Sequence, residues 1–223
     1  MWETVRNIKR LKPKYVLWEN VENLLSQKHI HNYNGYLDIL KELGYTNYYK
    51  VMNSRYYGIP QSRNRIFTLS ILNDDTSFEF PREQILSKSY RDYLESDYDI
   101  DQVVLNANEL QMVTNFGASY SFGGSVVTGE VYPTITASYG KVSGNSGKIV
   151  CKEGYRILTP RECWRLMGFT DENYDKASQV NGASALYKQA GNSIVVDVLE
   201  AIITSLFNIE QNKNYKPLQK KLF

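Results

Sequence analysis

Tyr57-Gly58-Ile59-Pro60-Gln61-Ser62-Arg63-Asn64-Arg65, running into Ile66-Phe67-Thr68-Leu69-Ser70-Ile71-Leu72, is the stretch on which the fold turns. Gly58 and Pro60 interrupt the backbone, and the apolar run after Arg65 reads as a buried strand. Residues 45–56 are rich in Tyr and Val and read as a second strand. The two pair as an antiparallel hairpin across the 58–65 turn. Arg63 and Arg65 are two apart, so in an extended segment both point to one face. Two guanidiniums at the mouth of a strand would make a fork for an anion or a polarised carbonyl. The plainer alternative is that they only solvate the strand's end.

Toward the N-terminus, residues 2–11 read as the end of an amphipathic helix, broken at Lys12-Pro13-Lys14. Tyr15-Val16-Leu17-Trp18 is a short apolar run suited to a parallel strand buried on both faces. It ends in Glu19-Asn20-Val21-Glu22-Asn23. In an open α/β sheet, groups just past the carboxyl ends of strands line the ligand crevice, which places Glu19 for chemistry. A helix cap or a solvent-facing carboxylate is the other reading. Residues 34–43 carry apolar groups at helical spacing, and Gly44 stops them. The order helix, strand, helix, strand, strand is that of the second half of a doubly wound α/β sheet.

Toward the C-terminus the character changes. Residues 74–110 hold 3 Lys/Arg against 10 Asp/Glu, whereas residues 1–72 hold 11 against 5. A basic first third can face phosphate, and the acidic stretch should avoid it. Residues 117–147 hold seven of the 14 glycines around Tyr132-Pro133-Thr134-Ile135-Thr136-Ala137-Ser138-Tyr139-Gly140-Lys141. Glycines with small hydroxyls, Tyr and Lys can bring backbone and short side chains to a nucleic-acid groove; a β-rich surface region is the alternative. Thr159-Pro160-Arg161-Glu162 is a helix start with a capping box and Pro at the first helical position. Trp164, Leu166 and Met167 follow before Gly168 stops the helix, and Cys163 within it reads as packing. Finally, Gln189-Ala190-Gly191-Asn192-Ser193 leads into an apolar helix face at Val195, Val198, Leu199, Ile202, Ile203 and Leu206. Asn192 or Ser193 caps that helix, and its N-terminus would offer N–H groups to a carboxylate or phosphate.

At 223 residues and 42% hydrophobic, the chain can bury a sizeable core. No apolar run nears 18 residues and no signal pattern opens the chain, so it reads as soluble and intracellular, hence cytoplasmic. The two cysteines, Cys151 and Cys163, lie in no metal-ligand spacing and form no disulfide framework. With only His29 and His31, a His-centred triad is a poor fit.

Taken together, the segments resemble the C-terminal part of a bacterial DNA cytosine-5 methyltransferase. Trp18-Glu19-Asn20-Val21 is similar to the family's Glu-Asn-Val motif, and Gly58–Arg65 to its Gln-x-Arg-x-Arg motif. Residues 156–169 (RILTPRECWRLMGF) and 189–198 (QAGNSIVVDV) resemble its two closing motifs. The resemblance implies an α/β fold: the C-terminal half of a Rossmann-like methyltransferase sheet with a small, mainly β or irregular target-recognition domain. Residues 1–72 would belong to the catalytic domain and 73–155 to target recognition. Residues 156–207 would form closing helices, the last returning to the catalytic domain, and 208–223 a polar tail.

For chemistry the resemblance implies methyl transfer from S-adenosylmethionine to C5 of a cytosine flipped out of duplex DNA. Glu19 would serve cytosine N3 as a carboxylic acid. Arg65 would hold the base carbonyl, and Arg63 would support it or reach backbone phosphate. Asn192 and Ser193 would meet the methionine carboxylate of the cofactor. Thr134, Thr136, Ser138, Tyr139, Gly140 and Lys141 would contact DNA. The family's Gly-rich cofactor loop and Pro-Cys nucleophile precede the Glu-Asn-Val segment, and neither is in this sequence. The resemblance therefore implies a partner polypeptide carrying the Pro-Cys nucleophile, a truncated product, or a fragment turned DNA-binding or regulatory protein.

Overall fold

The computed structural model describes residues 1–73, 78–99, 103–105, 126–140 and 147–207. The chain divides into two compact units. The first comprises Met1–Asn53, Asn64–Arg82 and the chain from Glu200; the second comprises Ser54–Arg63 and Glu83–Leu199.

The first unit is built on three strands: β1 (Tyr15–Val21), β2 (Tyr45–Asn53) and β4 (Asn64–Leu72), in the order β1-β4-β2. The expected hairpin forms, with Tyr45 opposite Leu72 and Asn53 opposite Asn64. β1 and β2 run in the same direction, joined by helix α2 (Ile30–Glu42), and β4 lies antiparallel between them. The sequence reading of residues 15–18 as a parallel strand buried on both faces is corrected here. β4 takes that central place, and Ile66, Phe67, Thr68, Leu69 and Ser70 along it are at most 2% exposed. β1 has β4 as its one paired neighbour among the described residues, and Tyr15, Leu17 and Val21 on it are 40%, 36% and 48% exposed.

One face of this sheet is covered by α2 and by α1 (Trp2–Leu11), the amphipathic helix read from the sequence. Val5, Ile8, Tyr33, Tyr36, Leu40 and Ile66 share one apolar core, with Trp18 packed against it. The Trp18 and Tyr36 ring centroids are 4.8 Å apart. Tyr33 reaches the sheet through a 2.8 Å hydroxyl–hydroxyl bond to Thr68, which satisfies both buried polar groups. Period-2 alternation sends Phe67, Leu69 and Ile71 to the opposite face. Tyr48 there meets Phe78, and Tyr15 meets Phe207 just past helix α6 (Val196–Leu206).

The second unit takes the tip of the β2–β4 hairpin, which the sequence reading had placed with the first domain. Ser54–Tyr57 forms a 3-10 turn, and Gly58 has φ +97°, a left-handed conformation that favours glycine. The two-residue strand β3 (Gln61–Ser62) then pairs in parallel with β5 (Tyr132–Pro133). A short hairpin, β6 (Ile149–Cys151) with β7 (Gly154–Arg156), leads to three helices: α3 (Pro160–Arg165), α4 (Asp171–Ser178) and α5 (Ala183–Asn192).

The capping box of α3 is present as read, with Thr159 and Glu162 bonding each other's backbone N–H. Glu162 does more than cap. It is fully buried and receives two 2.8 Å bonds from the buried Arg156 guanidinium. Cys163 is fully buried, and burial pushes its thiol well above the ordinary range, so packing is its role as read. No helix among the described residues is long and apolar enough to cross a membrane.

Candidate active site

In the first unit, Glu19 lies opposite Phe67 and Val21 lies opposite Arg65. Glu19 and Arg65 are therefore diagonal neighbours on one face of adjacent antiparallel strands, within reach of long side chains. Arg65 Nε is 3.0 Å from Glu19 Oε1, with the two side chains 18% and 19% exposed. Arg65 also donates a 2.7 Å bond to the Asn64 carbonyl, which fixes its stem. Burial lowers the Arg65 pKa, and the Glu19 charge opposes that shift. The result is a half-dry ion pair: held in place, yet reachable by a ligand. The nearby Asn64 side chain donates 2.8 Å to Glu22, tying the loop after β1 to the start of β4.

In the second unit, Arg63 has a different fate from the one expected. It is 4% exposed and donates to three backbone carbonyls: Ile135 at 2.8 Å, and Gly191 and Ser193 at 2.9 Å each. The anion fork of Arg63 and Arg65 does not form, because Arg63 is committed to main-chain acceptors. A buried guanidinium requires such partners for its donors. Gln61 completes the clamp, and the sequence reading gave it no role. Its side chain is fully buried, donates 2.8 Å to the Leu166 carbonyl and accepts 3.1 Å from the Ile135 N–H. Alternation in an extended segment that is buried on one side was the signal, since Gln61 and Arg63 share a face there.

The clamp holds three otherwise separate segments. Gly191 lies so close to the loop before it that a Cβ there would sit 2.2 Å from the Thr136 carbonyl carbon and the Ala137 nitrogen. That contact, rather than a turn, explains the glycine. It also corrects the reading of Asn192 and Ser193 as the cap of the last helix. Asn192 is the final residue of α5 and Ser193 its C-cap. The N–H and the hydroxyl of Ser193 both donate to the Ala190 carbonyl, and its own carbonyl accepts from Arg63. The segment therefore presents a helix C-terminus, whose partial charge is negative. Helix α6 begins just beyond it, at Val196. The Asn192 side chain is exposed.

The expected DNA-contacting residues separate into three sets. Thr136 and Ser138 are exposed, with their hydroxyls 3.2 Å apart. Thr134 donates 2.6 Å to the Ser62 carbonyl, and Gly140 is exposed but pressed onto Tyr187. Tyr139 is corrected to a core residue. It is 2% exposed, lies 2.6 Å from the Tyr132 hydroxyl, and accepts 2.9 Å from the Leu158 N–H. Lys141 lies outside the described residues, as do Gly117, Gly123, Gly124 and Gly144.

Comparisons with known proteins bear on the family and the fold. The family model for C-5 cytosine-specific DNA methylase matches residues 1–208. The type II methyltransferase M2.ScrFI of Lactococcus lactis subsp. cremoris is 40% identical over 212 residues, which are 93% of this chain and 58% of that protein. M.HhaI of Haemophilus parahaemolyticus is 31% identical over 97% of this chain and 69% of its own length. Among solved structures, the S. pombe Dnmt2 methyltransferase superposes with a TM-score of 0.74 at 21% identity, covering 93% of this chain and 71% of its own. That likeness shows the fold: an α/β arrangement matching part of a methyltransferase. With a sheet face presenting a Glu–Arg pair and a family match along nearly its whole length, the chain belongs to the C-5 cytosine-specific DNA methylases.

Proposed function

We propose that this chain carries the base-binding and target-recognition part of a DNA cytosine-5 methyltransferase of a restriction–modification system. The observation that carries the reading is the Glu19–Arg65 pair, 3.0 Å apart at the end of β1 and the start of β4. Cytosine is a poor acceptor at C6 unless N3 is protonated or hydrogen-bonded as a nucleophile attacks. A half-buried carboxyl can give that hydrogen bond, and a guanidinium beside it can hold the base carbonyl while fixing the carboxyl's orientation. A pure DNA-binding protein has no use for a half-buried carboxylate where a base would lie.

Members of this family take the methyl group from S-adenosylmethionine, which supplies an electrophilic methyl to C5. Asn192, exposed at the end of α5, and Ser193 after it would meet the cofactor's methionine carboxylate. Residues 73–155 would read the target, with Thr136 and Ser138 as exposed contacts. The thiolate that attacks C6 would come from a Pro-Cys segment on residues outside this sequence, in the same polypeptide or a separate one.

The test is transfer of labelled methyl to duplex DNA by this chain alone, and by the chain mixed with a polypeptide carrying the Pro-Cys segment. Activity only on mixing supports the reading. Activity from the chain alone refutes the assignment of the nucleophile elsewhere. Loss of activity in the mixture on Glu19→Gln, with duplex binding retained, supports the role of Glu19; equal loss of both refutes it.

A further inference from the structure

Two sequence segments outside the Glu19–Arg65 pair share a property that the proposed function does not use. Neither residues 131–152 nor residues 176–196 contain an aspartate or glutamate, in a chain that has 24. The structure packs the described parts of these segments together within the second unit. Gly140 lies against Tyr187 so closely that a Cβ would stand 2.3 Å from the ring, and Gly191 touches the Thr136–Ala137 backbone. The seam between them is an open concavity lined by Ala137, Ser138, Gly140, Ser184, Tyr187 and Lys188. Tyr187 forms its floor and is tied down by a 2.7 Å bond to the Leu158 carbonyl. Ser138, Ser184 and Lys188 are exposed at its rim. Among the described residues, the Lys188 ammonium has no carboxylate or hydrogen-bond partner, whereas Lys176 on the neighbouring helix α4 is paired with Glu172 at 3.0 Å.

We infer that this seam is a second contact for DNA, one that takes a backbone phosphate on Lys188 with the Ser184 and Ser138 hydroxyls. The inference rests on the proposed DNA substrate and extends it to helix α5, beyond the Thr134–Lys141 loop. Three features favour a phosphodiester as the occupant. Among the described residues its lining carries no carboxylate that would repel a polyanion. Its polar groups, hydroxyls and one ammonium, are those that hold phosphate oxygens. The loop beside it bears Thr136 and Ser138, so one strand could run from loop to helix without crossing a negative group. A backbone contact of this kind carries no base information, and so it adds affinity uniformly across sequences.

The experiment is titration of this chain with two duplexes of unrelated sequence over a range of salt. Lys188→Ala should weaken binding to both by a similar factor and reduce the slope of log affinity against log salt by about 1. Lys188→Arg should keep the wild-type slope, and Lys176→Ala should change nothing. Ser184→Glu, which puts a carboxylate on the rim, should weaken binding to both duplexes more than Lys188→Ala does. Wild-type affinity and slope in both Lys188→Ala and Ser184→Glu overturn the inference while leaving the DNA reading intact. Failure of the wild-type chain to bind either duplex at low salt overturns the DNA reading and this inference with it.

Discussion

Arg63 and Arg65 are two residues apart, carry the same charge, and do opposite things. Arg63 is 4% exposed and donates to the main-chain carbonyls of Ile135, Gly191 and Ser193. The Arg65 side chain is 18% exposed, and its main partner is a carboxylate. A guanidinium whose two terminal nitrogens are bonded to fixed carbonyls is a strut: a ligand can compete for them only by breaking the fold. A guanidinium facing a half-exposed carboxylate can exchange part of its bonding for a substrate. The side chains are the same, and the difference lies in what surrounds each.

That contrast predicts which assay each substitution will move. The largest effect should be that of Glu19→Gln on methyl transfer in the assembled enzyme. Loss of a positioned proton donor costs roughly 100- to 10,000-fold. The thermal midpoint should shift little, because the pair is partly solvated. A large fall in stability with unchanged activity would reverse the assignment.

Arg63→Met should do the opposite and destabilise the second unit by about 3–5 kcal/mol. Three buried carbonyls lose their charge-assisted donor at once, which is the penalty expected for orphaned buried acceptors. Denaturant titration measures it, and a change below about 1 kcal/mol would show that those carbonyls find other partners.

The buried Arg156–Glu162 pair gives a control for the strut, since both side chains are at most 3% exposed. Glu162→Gln should cost about 3 kcal/mol by leaving the buried guanidinium without its counter-charge and weakening the α3 cap. The double change Arg156→Met with Glu162→Leu should recover little of that loss, because Glu162 also accepts from the Thr159 and Glu95 backbone N–H groups, each at 2.8 Å, and a leucine leaves both without an acceptor. Arg63 is like Glu162 in this respect, since its partners too are main-chain groups.

The smallest effect is expected at Glu200, a carboxyl of α6 whose pKa is raised by burial and whose Oε1 is buried without a hydrogen-bond partner among the described residues. A carboxyl with a raised folded pKa favours the folded state when protonated. That contribution is therefore fully present below the unfolded pKa and is lost as pH rises through the folded one. Glu200→Gln should raise the thermal midpoint slightly at neutral pH, and the gain should vanish as pH falls below the carboxylate range. A gain that persists in acid would point to packing instead of ionisation.

How much of this was legible beforehand differs from element to element. The β2–β4 hairpin was, because a strand rich in Tyr and Val, a Gly–Pro turn and an apolar strand each act through local backbone preference. The α3 capping box was, because all its atoms lie within four residues. Glu19 and Arg65 were readable as candidates from their motifs. Their pairing required knowing that β1 and β4 are neighbours, 46 positions apart in the chain. Arg63, Gln61 and Tyr139 were misjudged or missed for a single reason: much of what each side chain meets comes from distant segments.

By itself, the sequence determined the local elements, the apolar faces of α1 and α6, and the motifs that mark the family. Those depend on periodicity and on residues a few positions apart, where chain connectivity fixes the geometry. Only the tertiary structure decided which arginine is strut and which is available, that Gly191 ends a helix against the Thr136–Ala137 backbone, and that two carboxylate-free segments share a seam. Those depend on burial and on partners brought together by the fold. The free energy of a buried charge is set by what surrounds it, and local spacing does not encode that.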